Sequence, residues 1–453
     1  MKFKGTTALL IVFVALGGYV YFTEFRGREA REQAEAAKKK AVQVEKNNIV
    51  ELSLLYPGTT ITGVKKGEKQ WELSSPAGID ADAEEWDRLA SNFASLEREA
   101  TVAENAANLA AFGLDSPPIK VTAKLADGKT IEIALGAENP GKNYIYAKLG
   151  DSNDVFLTPS SWKGLFTKTV NDLRDKKVIQ VEADTDIDAI RIVEGARELE
   201  LQKSGEDWLV KKPLEVPGDS TEIVSLVSSM RFARASSFAE PAVTAKAAGL
   251  DPPVMRITLH DAKAQADRAL LIGRSPEPDK YYARDASRDA IMIIEKEVPD
   301  KARRPIFDWR DKRISKVQPA SVDEVVIEAG ADGFSFKKDG TDWKLPDGRK
   351  LQWDKVTSMM TSLEFDRAAD IIDAPRALTS YGLDKPKLQL IFRQGTSELA
   401  RFAFGADSRQ PEGVYFKTSE KPAVAVVSRE TFNKFNVKVD ALVEQGSSAP
   451  SAP

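Results

Sequence analysis

Cysteine is absent from this chain of 453 residues, and histidine occurs once, as His260. The absence of cysteine excludes disulfide bonds, thiolate metal ligands and a cysteine nucleophile. A multi-histidine metal site is excluded within one chain, and a Ser-His-Asp arrangement would have to use His260. The sequence also contains no P-loop, no G-x-S-x-G segment and no H-E-x-x-H segment. We therefore predict that the protein is not an enzyme, and we assign no catalytic, metal-binding or cofactor-binding residue.

A strong net charge is missing too. Lys and Arg number 65 and Asp and Glu number 69, which leaves a net charge of -4. No basic block with interleaved aromatic residues is present, so no nucleic-acid partner is predicted. The composition, 42% hydrophobic and 30% charged, is typical of a folded, well-solvated protein. The length predicts about three domains.

One long apolar run stands out from the polar composition, between Thr6 and Phe22, and it follows Lys2 and Lys4. It is just long enough to span a bilayer. Its end lacks an A-x-A-like cleavage site and has interfacial aromatic residues instead, so we predict an uncleaved transmembrane signal anchor over 1–23. A cleaved signal peptide is the alternative. Lysine and arginine flank the run on both sides, so their distribution alone does not decide the topology.

The segments next to the anchor and at the C-terminus have biased compositions. Residues 24–46 are mainly Ala, Glu, Lys, Arg and Gln, which have high helix propensity and form no broad apolar face. They predict a charged helical stalk exposed to solvent. Residues 446–453 are Gly, Ser, Ala and Pro only, which predicts a disordered tail.

Between these ends, four landmarks recur three times in one order and at nearly equal spacing. They are a tryptophan, the first glycine of a Gly-Leu-Asp tripeptide, a later glycine and a tyrosine: Trp71, Trp208 and Trp343; Gly113, Gly249 and Gly382; Gly136, Gly273 and Gly405; Tyr146, Tyr282 and Tyr415. Each period is long enough for a core of its own. We predict three repeat domains over 47–182, 183–318 and 319–445.

Each repeat has the pattern of an α+β domain. An aspartate follows every repeated tryptophan at one distance, and in the first two repeats a glutamate stands three positions later, the spacing of a helix capping box: Asp82, Asp219, Asp354, Glu85 and Glu222. An apolar stripe then predicts one amphipathic helix per repeat. Gly-Leu-Asp before proline predicts a helix end. Alternating segments on either side predict an antiparallel sheet.

The first two repeats end in a shared junction, Leu173-Arg174-Asp175-Lys176 in one and Trp309-Arg310-Asp311-Lys312 in the other. The third repeat has no clean equivalent and ends near Val443. A motif found only where another domain follows predicts a role between repeats. Its loss predicts that the third repeat is a capping unit.

The residues that could form a site also have structural interpretations. We predict that the repeated tryptophans are core aromatics rather than a ligand-stacking platform. The aspartates of Gly-Leu-Asp are interpreted as turn residues rather than carboxylate ligands. His260 has Lys124 and Arg393 as counterparts, which predicts a solvated strand face. Five tyrosines stay ambiguous between packing and a binding rim: Tyr144, Tyr146, Tyr281, Tyr282 and Tyr415.

The repeated Gly-Leu-Asp-x-Pro, the later glycine, the segments Tyr144–Ala147 and Tyr281–Ala283 and the Leu-Arg-Asp-Lys junction resemble a bacterial family. That family is called domain of unknown function, number four-three-four-zero. The resemblance covers nearly everything after the stalk. It implies a single-span protein of the bacterial inner (cytoplasmic) membrane, with its body in the periplasm or outside the cell. It also implies genes beside ABC-type exporter components of the gliding-motility type, and it supplies no catalytic residue.

The expected function is therefore a membrane-tethered extracytoplasmic scaffold or adaptor with envelope or ABC-type transport proteins as partners. One alternative is an accessory protein that presents glycan, lipid or peptide to a transporter. A second is an envelope hydrolase that uses paired carboxylates, although no pair stands out among 69 acidic residues. A scaffold predicts similar surfaces in all repeats or at their junctions. An enzyme predicts one divergent, concave repeat.

Overall fold

The computed structural model describes residues 39–68 and 70–444, which form three antiparallel sheets with a few helices. The predicted anchor, the stalk up to residue 38 and the tail lie outside these residues. Within the described ranges, no helix is both long enough and apolar enough to cross a membrane. The α+β class and the three tandem repeats are confirmed.

The first sheet has nine strands in the order β4-β3-β2-β1-β6-β7-β8-β9-β5. Its strands are β1 (Ile49–Tyr56), β2 (Thr59–Gly67), β3 (Gln70–Ser75), β4 (Ala77–Asp80), β5 (Ala100–Ala103), β6 (Ile119–Leu125), β7 (Thr130–Glu138), β8 (Tyr144–Leu149) and β9 (Val155–Pro159). The helices of this repeat are α1 (Ala83–Ser95), α2 (Ser161–Phe166) and α3 (Val170–Leu173).

The second sheet has the same plan, in the order β13-β12-β11-β10-β15-β16-β17-β18-β14. Its strands are β10 (Ile187–Glu194), β11 (Arg197–Ser204), β12 (Asp207–Lys212), β13 (Val216–Pro217), β14 (Ser237–Phe238), β15 (Met255–Asp261), β16 (Ala266–Ile272), β17 (Lys280–Asp285) and β18 (Met292–Glu295). The helices are α4 (Ser220–Phe232), α5 (Glu297–Ala302) and α6 (Ile306–Trp309).

The third sheet has eight strands, in the order β21-β20-β19-β23-β24-β25-β26-β22. They are β19 (Glu324–Glu328), β20 (Phe334–Asp339), β21 (Asp342–Lys344), β22 (Asp370–Ile372), β23 (Leu388–Gln394), β24 (Ser397–Arg409), β25 (Glu412–Thr418) and β26 (Val424–Val427). The helices are α7 (Trp353–Phe365), α8 (Arg429–Phe435) and α9 (Val439–Leu442).

The chain divides into two compact units. One unit extends to Val178 and includes Arg234–Pro241 and Met292–Ile294. The other contains Ile179–Ala233, Ala242–Ile291 and the chain from Glu295 onward.

The long helices α1, α4 and α7 have the same length, 13 residues, but not the same start. Asp82 and Asp219 each accept hydrogen bonds from two backbone N–H groups of the first turn, as an N-cap does. In the third repeat the N-cap is Gln352, without a side-chain bond, and Asp354 lies inside the first turn. The predicted cap at Asp354 is therefore wrong. In the third repeat a single bridge between Lys344 and Lys350 takes the place of β4 and β13. The connection that it closes is two residues shorter than in the other repeats, so the chain enters the helix sooner.

The glutamate side chains do not complete the predicted capping boxes at Asp82 and Asp219. The N-cap N–H of Asp82 donates to the carbonyl of Leu173, and that of Asp219 donates to the carbonyl of Trp309, at 2.9 and 2.8 Å. The junction residues thus take the place that the pattern assigned to the glutamate side chains. Glu85 instead pairs with Arg88.

The third repeat has the same closing contact. Gln352 N–H donates to the carbonyl of Leu442 at 2.7 Å, and Val443 forms a bridge with Leu351. Leu442-Val443-Glu444 therefore replaces Leu-Arg-Asp, and the prediction of no equivalent is wrong. The contact uses backbone atoms, so the side chains at these positions are free to differ.

The start of the described chain packs onto the first repeat. Ala41 N–H donates to the carbonyl of Leu96 at 2.7 Å. Val42 and Val44 are only 4% and 8% exposed and belong to the first core. The predicted solvated stalk over 24–46 therefore ends before Lys46. Buried and exposed residues alternate from Val42 to Glu45, where the composition predicts a continuous polar helix.

The Gly-Leu-Asp turn lies against the later repeated glycine in each repeat. Gly113 and Gly382 end short 3₁₀ helices with φ of 64° and 63°, as the helix-stop pattern predicts. A Cβ atom on Gly136 would lie 2.3 Å from the carbonyl oxygen of Phe112. A Cβ on Gly273 would lie 2.1 Å from the carbonyl oxygen of Ala248. These two positions require glycine because the turn and the strand touch there.

Candidate functional site on the second sheet

The pairing of strands shows which residue lies opposite the same basic position in each of the three sheets. In the first sheet Glu51 of β1 lies opposite Lys124 of β6. In the third sheet Glu324 lies opposite Arg393, with 3.4 Å between carboxylate and guanidinium. In the second sheet the basic residue is His260, and Ala189 lies opposite it. The second repeat thus has alanine on β10 where the other two have glutamate on the matched strand, and His260 is paired instead with Asp267 of β16.

A second alanine, on β16, also stands where the first repeat has a glutamate. Glu132 of β7 lies opposite Thr122 and pairs with Lys120 at 3.3 Å. The matched residue in β16 is Ala269, opposite Thr258. The third repeat places Arg401 there. Both alanines are partly exposed, so their small side chains leave open space above the sheet.

The open space is a hollow of about 480 Å³ on the solvent face of β10, β11, β15 and β16. That volume is within the range of small-molecule sites in proteins. Its floor includes Ala189, Thr258 and Ala269. Its charged and polar lining comprises Arg191, Glu200, Gln202, Lys211, Arg256, His260 and Asp267.

Most cations at the hollow are neutralised by neighbouring carboxylates. Arg191 pairs with Glu198 at 2.7 Å, and Lys211 pairs with Glu215 at 2.7 Å. Arg256 differs from them. Its side chain is exposed and has no hydrogen bond or ion pair with any other residue in 39–68 and 70–444. Its counterpart Lys120 pairs with the carboxylate that Ala269 replaces.

His260 is held at the rim by Asp267, whose carboxylate lies 2.9 Å from Nδ1. This hydrogen bond raises the pKa of His260, desolvation opposes the rise, and the charges of Asp188, Asp267 and Asp261 add to it. The imidazole is 38% exposed. It therefore keeps its positive charge to a higher pH than a free histidine and remains open to solvent.

The two carboxylates of the hollow are too far apart for paired-carboxylate hydrolysis. Glu200 is on β11 and Asp267 on β16, with β10 and β15 between them. Three strand spacings amount to roughly 14 Å, whereas glycosidase carboxylates lie roughly 5–9.5 Å apart. Each carboxylate is also engaged, Glu200 by Lys212 and Asp267 by His260. The arrangement suits binding through charge rather than acid–base chemistry.

The predicted solvated position of His260 is confirmed, and the other candidates lie elsewhere. The aspartates of the Gly-Leu-Asp turns, Asp115, Asp251 and Asp384, are exposed and belong to three different repeats. No group of three or more metal-ligating side chains occurs in the part of the chain that the structure describes.

The repeated tryptophans are core residues, as predicted. Trp71, Trp208 and Trp343 are buried. Trp71 stacks on Trp86 and donates its Nε1–H to Asp87 at 2.9 Å. None of them is available as a stacking platform for a ligand.

Three of the five ambiguous tyrosines pack in apolar clusters. Tyr146 packs edge-on against Phe112, and Tyr415 packs in the same way against Tyr381, each with ring centroids 5.0 Å apart. Tyr282 belongs to the matching cluster of the second repeat. These clusters fill the space under the Gly-Leu-Asp turns, on the sheet face away from the long helix. Tyr281 accepts a hydrogen bond from Arg303 at 3.0 Å, and Tyr144 is half-buried.

The residues that define the hollow were missed by the sequence analysis. Ala189, Ala269 and Arg256 belong to no motif. Their signal is a difference between repeats: two alanines at positions where other repeats have charged residues. That difference becomes visible only when the strands are aligned by register.

A second surface differs between repeats on the long helix. Trp353 and Phe365, the first and last residues of α7, are 69% and 62% exposed. Thr357 and Thr361 lie between them on the same row, because every fourth residue shares a helix face. The matched residues of α1 are Ala83 and Ser95 at the two ends. The third repeat exposes an aromatic side chain at both ends of the helix, the second repeat only at the last residue, Phe232, and the first repeat at neither end.

Comparison with known proteins gives one informative result. The family described as Domain of unknown function (DUF4340) matches residues 71–253, 208–377 and 343–446. No curated protein matches. A crystal structure of a DnaN sliding clamp (DNA polymerase III subunit beta) from Pseudomonas aeruginosa bound to griselimycin aligns at 8% identity over 86% of this chain and 94% of that chain, with a TM-score of 0.13. A score that low carries no argument about fold or function.

Proposed function

Because the chain belongs to the DUF4340 family and matches its domain three times, we propose that it is a membrane-tethered adaptor of the bacterial envelope that binds a ligand through its second repeat. The proposal places the body outside the cytoplasm, in the periplasm or beyond, and an anchor over 1–23 in the inner membrane. The partners are envelope or ABC-type transport proteins, to which the adaptor presents its ligand. The tether is supported by the uncharged run from Thr6 to Phe22.

The observation that carries the proposal is the difference between the solvent faces of matched sheets. The first and third repeats cover these positions with charged residues, and the second leaves a hollow there. A scaffold working only through repeated surfaces gives no reason for one divergent repeat. A hydrolase would give a reason, but the separation of Glu200 and Asp267 does not suit one. Ligand binding without catalysis fits both features.

The proposal is tested in living cells with a variant whose added side chains fill the hollow. Ala189→Glu with Ala269→Glu restores the carboxylates of the first repeat. We expect this double variant to reach the membrane in normal amounts and to fail to complement a deletion strain. Thr130→Glu is the matched control, because it adds a carboxylate opposite Lys124 on the same face of the first sheet, and it should complement. Full complementation by the double variant would contradict a binding function in the second repeat.

The tether has a separate test. Alkaline phosphatase fused after Glu444 should be active in cells, and green fluorescent protein at the same place should stay dark after export in unfolded form. Removal of 1–23 should release the body from the membrane fraction. A fluorescent, phosphatase-inactive pair would contradict an extracytoplasmic body.

A second candidate function, a scaffold that holds a protein partner, is supported by the exposed aromatic row of α7. Under this reading an envelope or transport protein packs against Trp353 and Phe365. Trp353→Ser with Phe365→Ser should remove one co-purifying membrane protein. The control Lys355→Ser changes an exposed residue of the same helix and should retain it. An unchanged set of co-purifying proteins would contradict this candidate.

A further inference from the structure

The hollow of the second repeat has two basic residues whose glutamate counterparts in the other repeats are replaced by alanine. Arg256 pairs with no residue in 39–68 and 70–444, and His260 pairs with Asp267 instead of a glutamate. In the third repeat, Arg393 is paired with Glu324. In the first repeat, Lys120 is paired with Glu132. The second repeat keeps the two basic positions as His260 and Arg256 and changes the two acidic positions to Ala189 and Ala269. The first and third repeats thus show that the basic residues at these positions pair with carboxylates.

We propose that this hollow binds a carboxylate-bearing ligand, whose carboxylates take the places that glutamates occupy in the other repeats. The inference rests on the proposed function and names the class of ligand. Arg256 is the main anchor, because an exposed guanidinium without a partner can donate two parallel N–H···O hydrogen bonds to a carboxylate. His260 is the second contact, and the Thr258 hydroxyl between them can donate to a carboxylate oxygen.

The spacing of the two basic residues favours more than one carboxylate on the ligand. Arg256 and His260 are on the same strand, β15, and their side chains point to the same face because their positions differ by four. Their Cα atoms are therefore roughly 13 Å apart. Both long side chains can lean over Thr258, so a dicarboxylate or tricarboxylate of small size can reach both. Glu200 and Asp267 at the rim disfavour an anion placed away from Arg256.

Two sources of this chemistry exist: a free small carboxylate and an acidic side chain of a peptide. The experiment is calorimetric titration of the full chain in detergent with two probes, citrate and the peptide acetyl-Glu-Ala-Glu-amide. We expect one of them to bind with one site per chain. Binding of citrate alone assigns a small metabolite, and binding of the peptide alone, or more tightly, assigns an acidic protein segment.

Three variants separate the hollow from general attraction of anions. Arg256→Gln should weaken binding about tenfold or more, because a charge-assisted bidentate contact is lost. Lys120→Gln, the matched change in the first repeat, should leave binding unchanged. Ala189→Glu with Ala269→Glu should abolish it. No binding of either probe, or equal binding by wild type and Arg256→Gln, would overturn the proposal.

Different results would contradict carboxylate binding and the proposed binding function. If neither probe binds but the filled variant still fails to complement in cells, the hollow binds another class of ligand. If the filled variant complements fully, the second repeat has no binding function.

Discussion

The first and second repeats share a framework and differ in how they cover it. Both sheets have nine strands in the same order, and both long helices begin at a capping aspartate. The solvent face of the first sheet has Glu51 and Glu132 where the second has Ala189 and Ala269. The comparison teaches that backbone contacts fix the fold of a repeat, whereas the solvent face is free to become a site.

The largest expected effect concerns the shared framework. Gly136→Ala and Gly273→Ala each place a Cβ within 2.3 Å of a carbonyl oxygen. Both should lower the free energy of unfolding by about 3 kcal/mol, the upper part of the overpacking range. The control Gly164→Ala lies in α2 with nothing within 4 Å of the added atom, and it should not destabilise. Chemical denaturation measures all three. A loss in only one repeat would show that the frameworks are not equivalent.

The second prediction converts the first repeat into a copy of the second. Glu51→Ala with Glu132→Ala removes the carboxylates near Lys124 and Lys120. We expect this double variant to bind a second equivalent of the carboxylate probe, so that calorimetric stoichiometry rises from one to two. The new site should be weaker, since lysine does not offer the paired donors of arginine. An unchanged stoichiometry would show that the alanines alone do not create the site.

The third prediction compares the helix starts. Asp82→Ala and Asp219→Ala should each lower stability by about 1 kcal/mol, because each side chain accepts two backbone N–H groups. Asp354→Ala is the matched control. It lies inside the first turn rather than at the cap, so only the interaction of an exposed side chain with the helix dipole is lost, roughly 0.3 kcal/mol. Equal losses for all three would contradict the offset in the third helix.

The smallest expected effect is on the pH dependence of binding. The hydrogen bond with Asp267 raises the pKa of His260, so its cationic form persists above pH 6.5. The cation attracts a carboxylate, so affinity should be highest below the pKa of His260 and fall a few-fold as pH rises through it. The acids that face His260 are Asp188, Asp261 and Asp267, and their charges favour its cationic form. His260→Gln should make affinity constant from pH 6 to pH 9; a persisting slope would point to another group.

Much of the fold could be predicted from the sequence, because local chemistry determines it. The tryptophans are buried, the Gly-Leu-Asp glycines of the first and third repeats end 3₁₀ helices, and the caps at Asp82 and Asp219 form where the spacing predicts them. The closing contact of the third repeat escaped detection because it joins backbone atoms of Gln352 and Leu442. No side-chain pattern reports such a bond.

The site could not be predicted because it depends on contacts across strands. Arg256 and Ala269 are on different strands, and their relation follows from the register of β15 with β16. Matching of positions along the chain pairs His260 with Lys124 and Arg393. It does not identify the residues that lie opposite them on the neighbouring strand. A change from glutamate to alanine is an unremarkable substitution until the basic partner across the sheet is known.

The most direct test of the central claim uses the fact that His260 is the only histidine. Selective isotope labelling of histidine in the full chain, purified without a histidine tag, gives a single NMR signal at the rim of the hollow. Titration with citrate or the acidic peptide should move this signal to saturation and raise the pKa of His260, because a bound carboxylate favours the cation. Ala189→Glu with Ala269→Glu should show no movement. A wild-type signal that stays in place with both probes would contradict carboxylate binding by the second repeat.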